Sequence, residues 1–235
     1  MSKNKTTKWL IVAQTNLHVG SESISGMEIA DKTVQRDVLT KFPCINASSL
    51  KGAINEFCCR EIEMDANEVF KIFGDDKLGR VKEPTKNGKE KRKDSQKGQY
   101  IFNDAQLLLL PVPDEDILFH WETTDAMLKN AGLTEEQLRD KLSHPLKNQP
   151  IIRKIEQKDF AEKCENELPI IARNHLDDGK SVNLFYEEVV PSQAVFITTI
   201  IADDTVLEAA IDGKIIQIGA GATIGRGYCK FIKIS

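Results

Sequence analysis

Leu17-His18-Val19-Gly20-Ser21, running on to Val34-Gln35-Arg36-Asp37, is the stretch on which the fold turns. Before it, Lys8 to Leu17 gathers Trp9, Leu10, Ile11, Val12 and Ala13 into a run that reads as a largely buried strand. After it, Phe42-Pro43 leads into Ser48-Ser49-Leu50-Lys51-Gly52. Either serine can cap a helix there, and Leu50, Ala53, Ile54, Phe57, Cys58 and Ile62 share one face of it. A loop of about twenty residues inside a compact domain is more often functional than accidental. This one carries His18, Gly20, Gly26 and an acid, Asp31, that fits no hydrophobic pattern.

Outward from that stretch, Asp65 and Glu68 open a short helix that Gly74 stops. Residues 75–98 have almost no large apolar side chains and hold Pro84, Asn87-Gly88 and a dense run of lysine and arginine, the pattern of a surface loop. Gln99 to Leu110 reads as a buried strand interrupted at Asn103-Asp104 and ended by Pro111 and Pro113, with another short strand at Ile117 to Trp121. Helices from Asp125 and from the Thr134-Glu135-Glu136-Gln137 capping box place a helical insertion at about 122–165. Ile170 to His175 and Leu184 to Tyr186 flank Asp177-Asp178-Gly179-Lys180, which predicts a protruding β-hairpin at about 168–188. A strand from Ala194 to Ile201, a helix from Thr205 to Ala210, a glycine-rich loop and a strand from Tyr228 to Ile234 follow. The order strand, helix, strand, strand, helix, strand is the split βαβ plan of ferredoxin-like α+β domains, here one domain over residues 1–235.

Composition narrows the function classes. No apolar run reaches the roughly 18 residues of a membrane span, and the polar start leads into a strand, so the expectation is a cytoplasmic protein without a membrane partner. The five cysteines include no Cys-x-x-Cys, which points to buried thiols and away from structural zinc. A net charge of −4 is unusual for a free-standing nucleic-acid binder, but the average hides the basic segment and acidic stretches at Asp114 to Asp116 and Glu162 to Glu167.

Gly219-Ala220-Gly221-Ala222-Thr223-Ile224-Gly225-Arg226-Gly227 lacks the helix a dinucleotide fingerprint needs, because a strand follows it. Two readings stay open: a flexible turn, or close backbone approach to a phosphate chain beside Arg226 and Lys230. Lys51 in the first turn of a helix opened by Ser48 and Ser49 is either a solvated charge or a phosphate contact. Read alone, Asp31 suits an ordinary turn, His18 a satisfied structural histidine, and Glu187-Glu188 a pair at a strand edge, at least one of them solvated.

Taken in order, these stretches carry a resemblance. Leu17 to Ser21, Asp31 with Val34 to Asp37, Ser48 to Ala53, Ile72-Phe73-Gly74, Asp104-Ala105 ahead of Leu109 to Val112, Leu184 to Pro191, and Gln217-Ile218-Gly219 with Thr223 to Gly227 resemble the RAMP superfamily of CRISPR proteins. Within it they most resemble the backbone subunits of type III-B (Cmr) effector complexes, the fourth Cmr protein. A type III-A (Csm) backbone endoribonuclease is the nearest alternative, and Tyr186-Glu187-Glu188 leading to Pro191 favours Cmr.

The resemblance implies a modified ferredoxin-like, RNA-recognition-motif palm with an inserted hairpin thumb, which is assigned to Ile170 to Tyr186. It implies partners: guide (crRNA) and target RNA, other Cmr subunits, and further copies stacked as a helical filament. It also implies cleavage of target RNA at every sixth nucleotide. Asp31 falls at the catalytic acid, with His18 and Glu187 beside the cleavage site. Lys51, Ser48, Ser49, Gly219, Gly221, Gly225, Arg226 and Gly227 fall at guide-RNA contacts. Asp31 is also the candidate ligand for Mg²⁺ or another loosely held divalent cation. A non-cleaving guide-binding scaffold and a guide-processing ribonuclease using His18 are the competing roles. The chain departs from the family pattern at Thr33, where a proline commonly stands, and at Glu22, which replaces a frequent glycine.

Overall fold

In the computed structural model, residues 5–20, 30–74, 97–143, 150–177 and 180–234 are described. The element order is β1 (Lys5–Ala13), β2 (Cys44–Ile45), α1 (Ala47–Arg60), α2 (Ala66–Phe73), β3 (Ile101–Phe102), β4 (Ala105–Asp114), β5 (Leu118–Thr123), α3 (Asp125–Ala131), α4 (Glu135–Lys141) and β6 (Ile152–Lys154). It continues with α5 (Gln157–Asn166), β7 (Ile170–Asp177), β8 (Lys180–Glu188), β9 (Val195–Ala202), α6 (Val206–Ile211), β10 (Ile215–Gln217) and β11 (Tyr228–Lys233).

The main sheet runs β10-β11-β1-β9-β4-β5-β6. Its centre, β11-β1-β9-β4, is antiparallel throughout and carries the split βαβ strand order that the sequence pattern predicts. The β1 residues alternate between two cores. Trp9 and Ile11 pack with residues of α1, α2, α5 and α6, whereas Leu10 and Val12 pack with Leu128 of α3 and Leu138 of α4. Both faces of the sheet are therefore covered there, which is why Trp9 to Ala13 of β1 is apolar without interruption.

Two boundaries differ from the sequence reading. α1 begins earlier, with Asn46 as its N-cap and Ser48 and Ser49 inside its first turn. The cause is β2, which pairs Cys44 with Gln106 and ties the chain down to Ile45; the Ala47 N–H then donates to Asp104 Oδ1 at 2.6 Å. β4 runs through Pro111 and Pro113 instead of ending at them. Beyond Leu110 it pairs only with β5, so the missing N–H groups cost no ladder bond on a second side. The short strands β6 and β10 went unread; β6 extends the sheet parallel to β5 with only Ile152 buried. The Thr134–Gln137 capping box is formed as expected.

β7 and β8 form a separate two-stranded hairpin, in register from Ile170–Glu188 to Asp177–Lys180 with an irregularity between His175 and Leu176. Cys59 is exposed and the other four cysteines are buried. The basic segment lies outside the described residues except for Lys97 and Gly98 at its end. No helix among the described residues is long and apolar enough to cross a membrane.

Candidate functional site

Four separate segments are laced together at the foot of the hairpin. The end of the first arm of the long loop bonds to the chain after β8, with Leu17 N–H to Val190 O at 2.9 Å and Val190 N–H to Leu17 O at 2.8 Å. The returning arm bonds on both sides, Gln35 N–H to Val19 O at 2.8 Å and Glu188 N–H to Lys32 O at 2.9 Å. The glycine-rich loop joins through Ala220 N–H to His18 O at 2.9 Å and Gly227 N–H to Asn16 O at 2.9 Å. Residues 21–29, including Glu22 and Gly26, lie outside the described residues.

At the centre lie two acids that the sequence reading did not place inside. Glu187 and Glu188 are both buried, at 1% and 7% exposure, so neither is a solvated strand-edge charge. A buried carboxylate requires counter-charges and donors, and each has them. Glu187 Oε2 accepts from Arg226 Nη1 and, at 3.3 Å, from Arg173 Nη1. Its Oε1 lies 3.6 Å from His18 Nε2. Glu188 accepts from the Val34 N–H at 2.9 Å and from Arg36 Nη2 at 2.5 Å, and Arg36 also donates to the carbonyls of Cys164 and Lys41.

His18 is buried, and its Nδ1 donates to the Glu188 carbonyl at 2.7 Å, which fixes the proton on that nitrogen because a carbonyl only accepts. Gly20 lies over the imidazole, where a Cβ would stand 3.0 Å from Nε2.

Asp31 is the exposed member of the group. The Tyr186 N–H donates to its Oδ2 at 2.7 Å, and its Oδ1 has no partner among the described residues. Next to it, Lys32 and Arg173 lie over the Phe185 ring at 4.6 and 5.4 Å from the centroid.

The glycines divide by role. Gly219 and Gly227 have φ of 78° and 79°, and a Cβ on either would overlap a carbonyl oxygen, that of His18 or of Ile218. They are there so that two chain segments can touch. Gly225 has a comparable φ of 76° but open space around it. Gly221, also left-handed, opens the 3-10 turn Ala222–Ile224 that Gly225 closes.

Lys51, Ser48 and Ser49 occupy the start of α1 and contact none of these groups directly. They are coupled through Gln35, whose side chain accepts from the Asn46 N–H at 3.1 Å. Lys51 has no ion pair among the described residues.

The structure thus gathers His18, Asp31, Glu187, Gly219, Arg226 and Gly227 into one framework and leaves the α1 residues at its border. Sequence reasoning missed Arg36, Arg173 and the binding of Glu188 to the returning arm. Hairpin register carried the signal for Arg173: Ile171 opposes Glu187, so Arg173 is its diagonal neighbour.

The family model described as the RAMP superfamily matches residues 10–230. The chain belongs to the RAMP superfamily. This RAMP chain is 22% identical over 284 aligned residues to the CRISPR system Cmr endoribonuclease Cmr4 of Pyrococcus furiosus, covering 92% of this chain and 91% of that protein. A shorter match, 43% over 68 residues, links 29% of the chain to 21% of the CMR subunit Cmr4 of Saccharolobus solfataricus. In fold it is similar to a chain of a type III-B Cmr-beta complex bound to cognate target RNA, with a TM-score of 0.69 at 20% identity over 100% of this chain and 99% of that one. Oligomeric Cmr4 of Pyrococcus furiosus is similar too, with a TM-score of 0.65 at 18% identity over 97% and 98%. The α+β RAMP fold expected from the ordered motifs is the fold found.

Proposed function

We propose that this RAMP chain is a cytoplasmic backbone subunit of a type III-B effector complex, one that binds guide RNA, polymerises along it and cuts complementary target RNA at every sixth nucleotide. The observation that carries the reading is the placement of Asp31. It is an exposed carboxylate pinned at the foot of the hairpin, on the same hydrogen-bonded framework as the glycine-rich loop. The Pyrococcus furiosus relative, similar over most of both chains, is an endoribonuclease, and a chain of similar fold sits in a complex with target RNA.

RNA can be cut by its own 2′-OH once that oxygen is held in line with the neighbouring phosphorus. In this reading the hairpin splays a nucleotide beside Asp31, whose free oxygen takes the 2′-OH proton. The 2′-oxygen bonds to phosphorus as the bond to the 5′-oxygen breaks, and that oxygen takes a proton from water. A 2′,3′-cyclic phosphate and a 5′-hydroxyl result.

One uncommitted carboxylate oxygen on a surface suits a hydrated Mg²⁺ that keeps most of its waters and takes further ligands from phosphate. Held by that oxygen as the alternative to Asp31 acting as base, such an ion would supply charge neutralisation and an acidic water. His18 and Glu187 serve by position: they hold the loop arm and Arg226 in place from the interior. Lys51, Ser48, Ser49 and the glycine-loop backbone supply guide contacts.

The test is the reconstituted complex with labelled complementary RNA, with and without Mg²⁺. Asp31→Asn keeps an acceptor for the Tyr186 N–H and should abolish cutting while leaving guide and target binding intact. Unchanged cutting by Asp31→Asn refutes the assignment, and a wild-type complex that binds target without products would identify a scaffold instead.

A further inference from the structure

The most exposed large apolar residues described are two neighbours, Val38 at 79% and Leu39 at 90%. They are held out by a stiff turn. Asp37 Oδ1 accepts from the Leu39 N–H at 3.0 Å, the Thr40 N–H at 2.8 Å and the Thr40 hydroxyl at 3.0 Å. The turn is closed beneath by an Arg36–Pro43 bridge and by Asp37 N–H to Phe42 O at 2.9 Å. Lys41, exposed and with φ of 62°, follows and has no ion pair among the described residues.

Elsewhere on the chain, a groove of about 350 Å³ is floored by Pro111, Pro113, Leu118, Phe119, Pro169 and Pro191. One acid, Glu167, lines it and lies 3.8 Å from Lys163 Nζ, and the exposed Glu115 and Asp116 follow directly on β4, which forms one wall. The groove is larger than one aliphatic side chain, and proline and aliphatic surfaces around the ring of Phe119 make up most of it, with Glu167, Ser192 and Gln193 its polar points. A cationic apolar projection and an acidic apolar recess on one molecule are complementary in shape class and charge.

We propose that the Val38–Leu39 turn of one copy seats in the Pro111/Leu118/Pro169/Pro191 groove of a second copy, with Lys41 meeting the acidic rim. The inference rests on the proposed backbone role and deepens it by naming the surfaces in contact. Turn and groove are different patches, so the contact is heterologous, and contacts of that kind extend into open helical assemblies when the rotation does not close a ring. The turn follows Asp31 by a few residues, so seating it would also fix the returning arm of the catalytic loop against the neighbour.

The experiment is sedimentation of the full chain over a concentration series, alone and with guide RNA. Leu39→Glu and, separately, Leu118→Glu should each raise the midpoint concentration of self-association by about tenfold or more, since a buried leucine is lost to each contact. Both side chains are largely exposed in the monomer, so its thermal unfolding should be unchanged. In a Cys59→Ser background, Leu39→Cys and Leu118→Cys proteins should cross-link with a short bismaleimide when mixed, and far less when each is alone. Wild type that binds guide but never self-associates overturns the backbone reading and this inference together. Association that proceeds normally in both glutamate variants overturns the inference alone. So does a Leu39→Glu effect confined to RNA binding or to recruitment of a different subunit.

Discussion

Glu188→Ala offers the sharpest test of how the site is held. Glu188 is 7% exposed and joins the returning arm to the hairpin through the Val34 N–H and Arg36. Val34 is itself 2% exposed, so its N–H cannot turn to water when the carboxylate is removed. A buried donor left without a partner costs about 1–3 kcal/mol. Arg36 loses its counter-ion but keeps two carbonyls and has a 23% exposed side chain, so its share falls below the roughly 3–5 kcal/mol of a fully buried broken pair. A total of about 3 kcal/mol follows, which in a domain of this size lowers Tm by about 6–12 °C. Glu188→Gln keeps an acceptor for Val34 and should lose only about 1 kcal/mol. The measurements are calorimetric Tm of the free chain, and cleavage by the reconstituted complex at a temperature where every variant is folded. Because Asp31 rides on the same arm, cleavage should fall in the alanine variant even where it is fully folded. A Glu188→Ala protein within about 2 °C of wild type, or one no worse than Glu188→Gln, would refute the reasoning.

Gly219→Ala and Gly227→Ala should each lose more stability than Gly225→Ala: all three carry the left-handed cost of about 1–2 kcal/mol, but only the first two add overlap with a carbonyl, as urea midpoints would show. Acid should destabilise the fold through Asp204 and Glu208. Burial pushes both carboxyls up, but Lys71 and Tyr100 at Asp204, and Lys233 and Thr7 at Glu208, outweigh it and hold both below their ordinary values of 3.8 and 4.5. The unfolded chain then binds more protons, so this stability is complete above those values and is lost as pH falls through the lower folded ones; Asp204→Asn should flatten the loss measured between pH 5 and about pH 2. Lys51→Ala should weaken guide binding and reduce the slope of log K against log salt by about 0.7 for each bound copy, read by filter binding.

The fold was legible because its signals are local and repeated. β1 is apolar on both faces, α1 has a single apolar stripe, and Asp177 to Lys180 marks a turn. What stayed hidden depends on neighbours. Asn46 rather than Ser48 opens α1 because β2 pairs with β4, and no pattern within two residues reveals a strand. Pro111 and Pro113 looked like stops because the sequence does not say that β4 has only one partner there. For the site, the residue types around the long loop were readable, but burial was not. Adjacent glutamates look solvated until Arg173 reaches across the hairpin and Arg36 and Arg226 arrive from distant parts of the chain.

That burial separates two tasks which residue type alone runs together. Arg226 was expected at a guide phosphate, yet its side chain is 12% exposed and bound to Glu187. A guanidinium so placed is already neutralised, and pulling it out would leave a buried carboxylate short of a partner at a cost of several kcal/mol. It is therefore better suited to fixing the glycine-rich loop than to holding RNA. Under the proposed function, phosphate contact then falls to the backbone N–H groups of Gly221, Ala222 and Thr223, since those of Ile224 to Gly227 donate within the fold, and to Lys51 at the α1 start, both weak when single. In that reading, a chain with a net charge of −4 and few free cations among the described residues of its site gains affinity by repetition. Each added copy contributes its small set of contacts to the same RNA strand, so assembly along the guide and binding of the guide become one equilibrium.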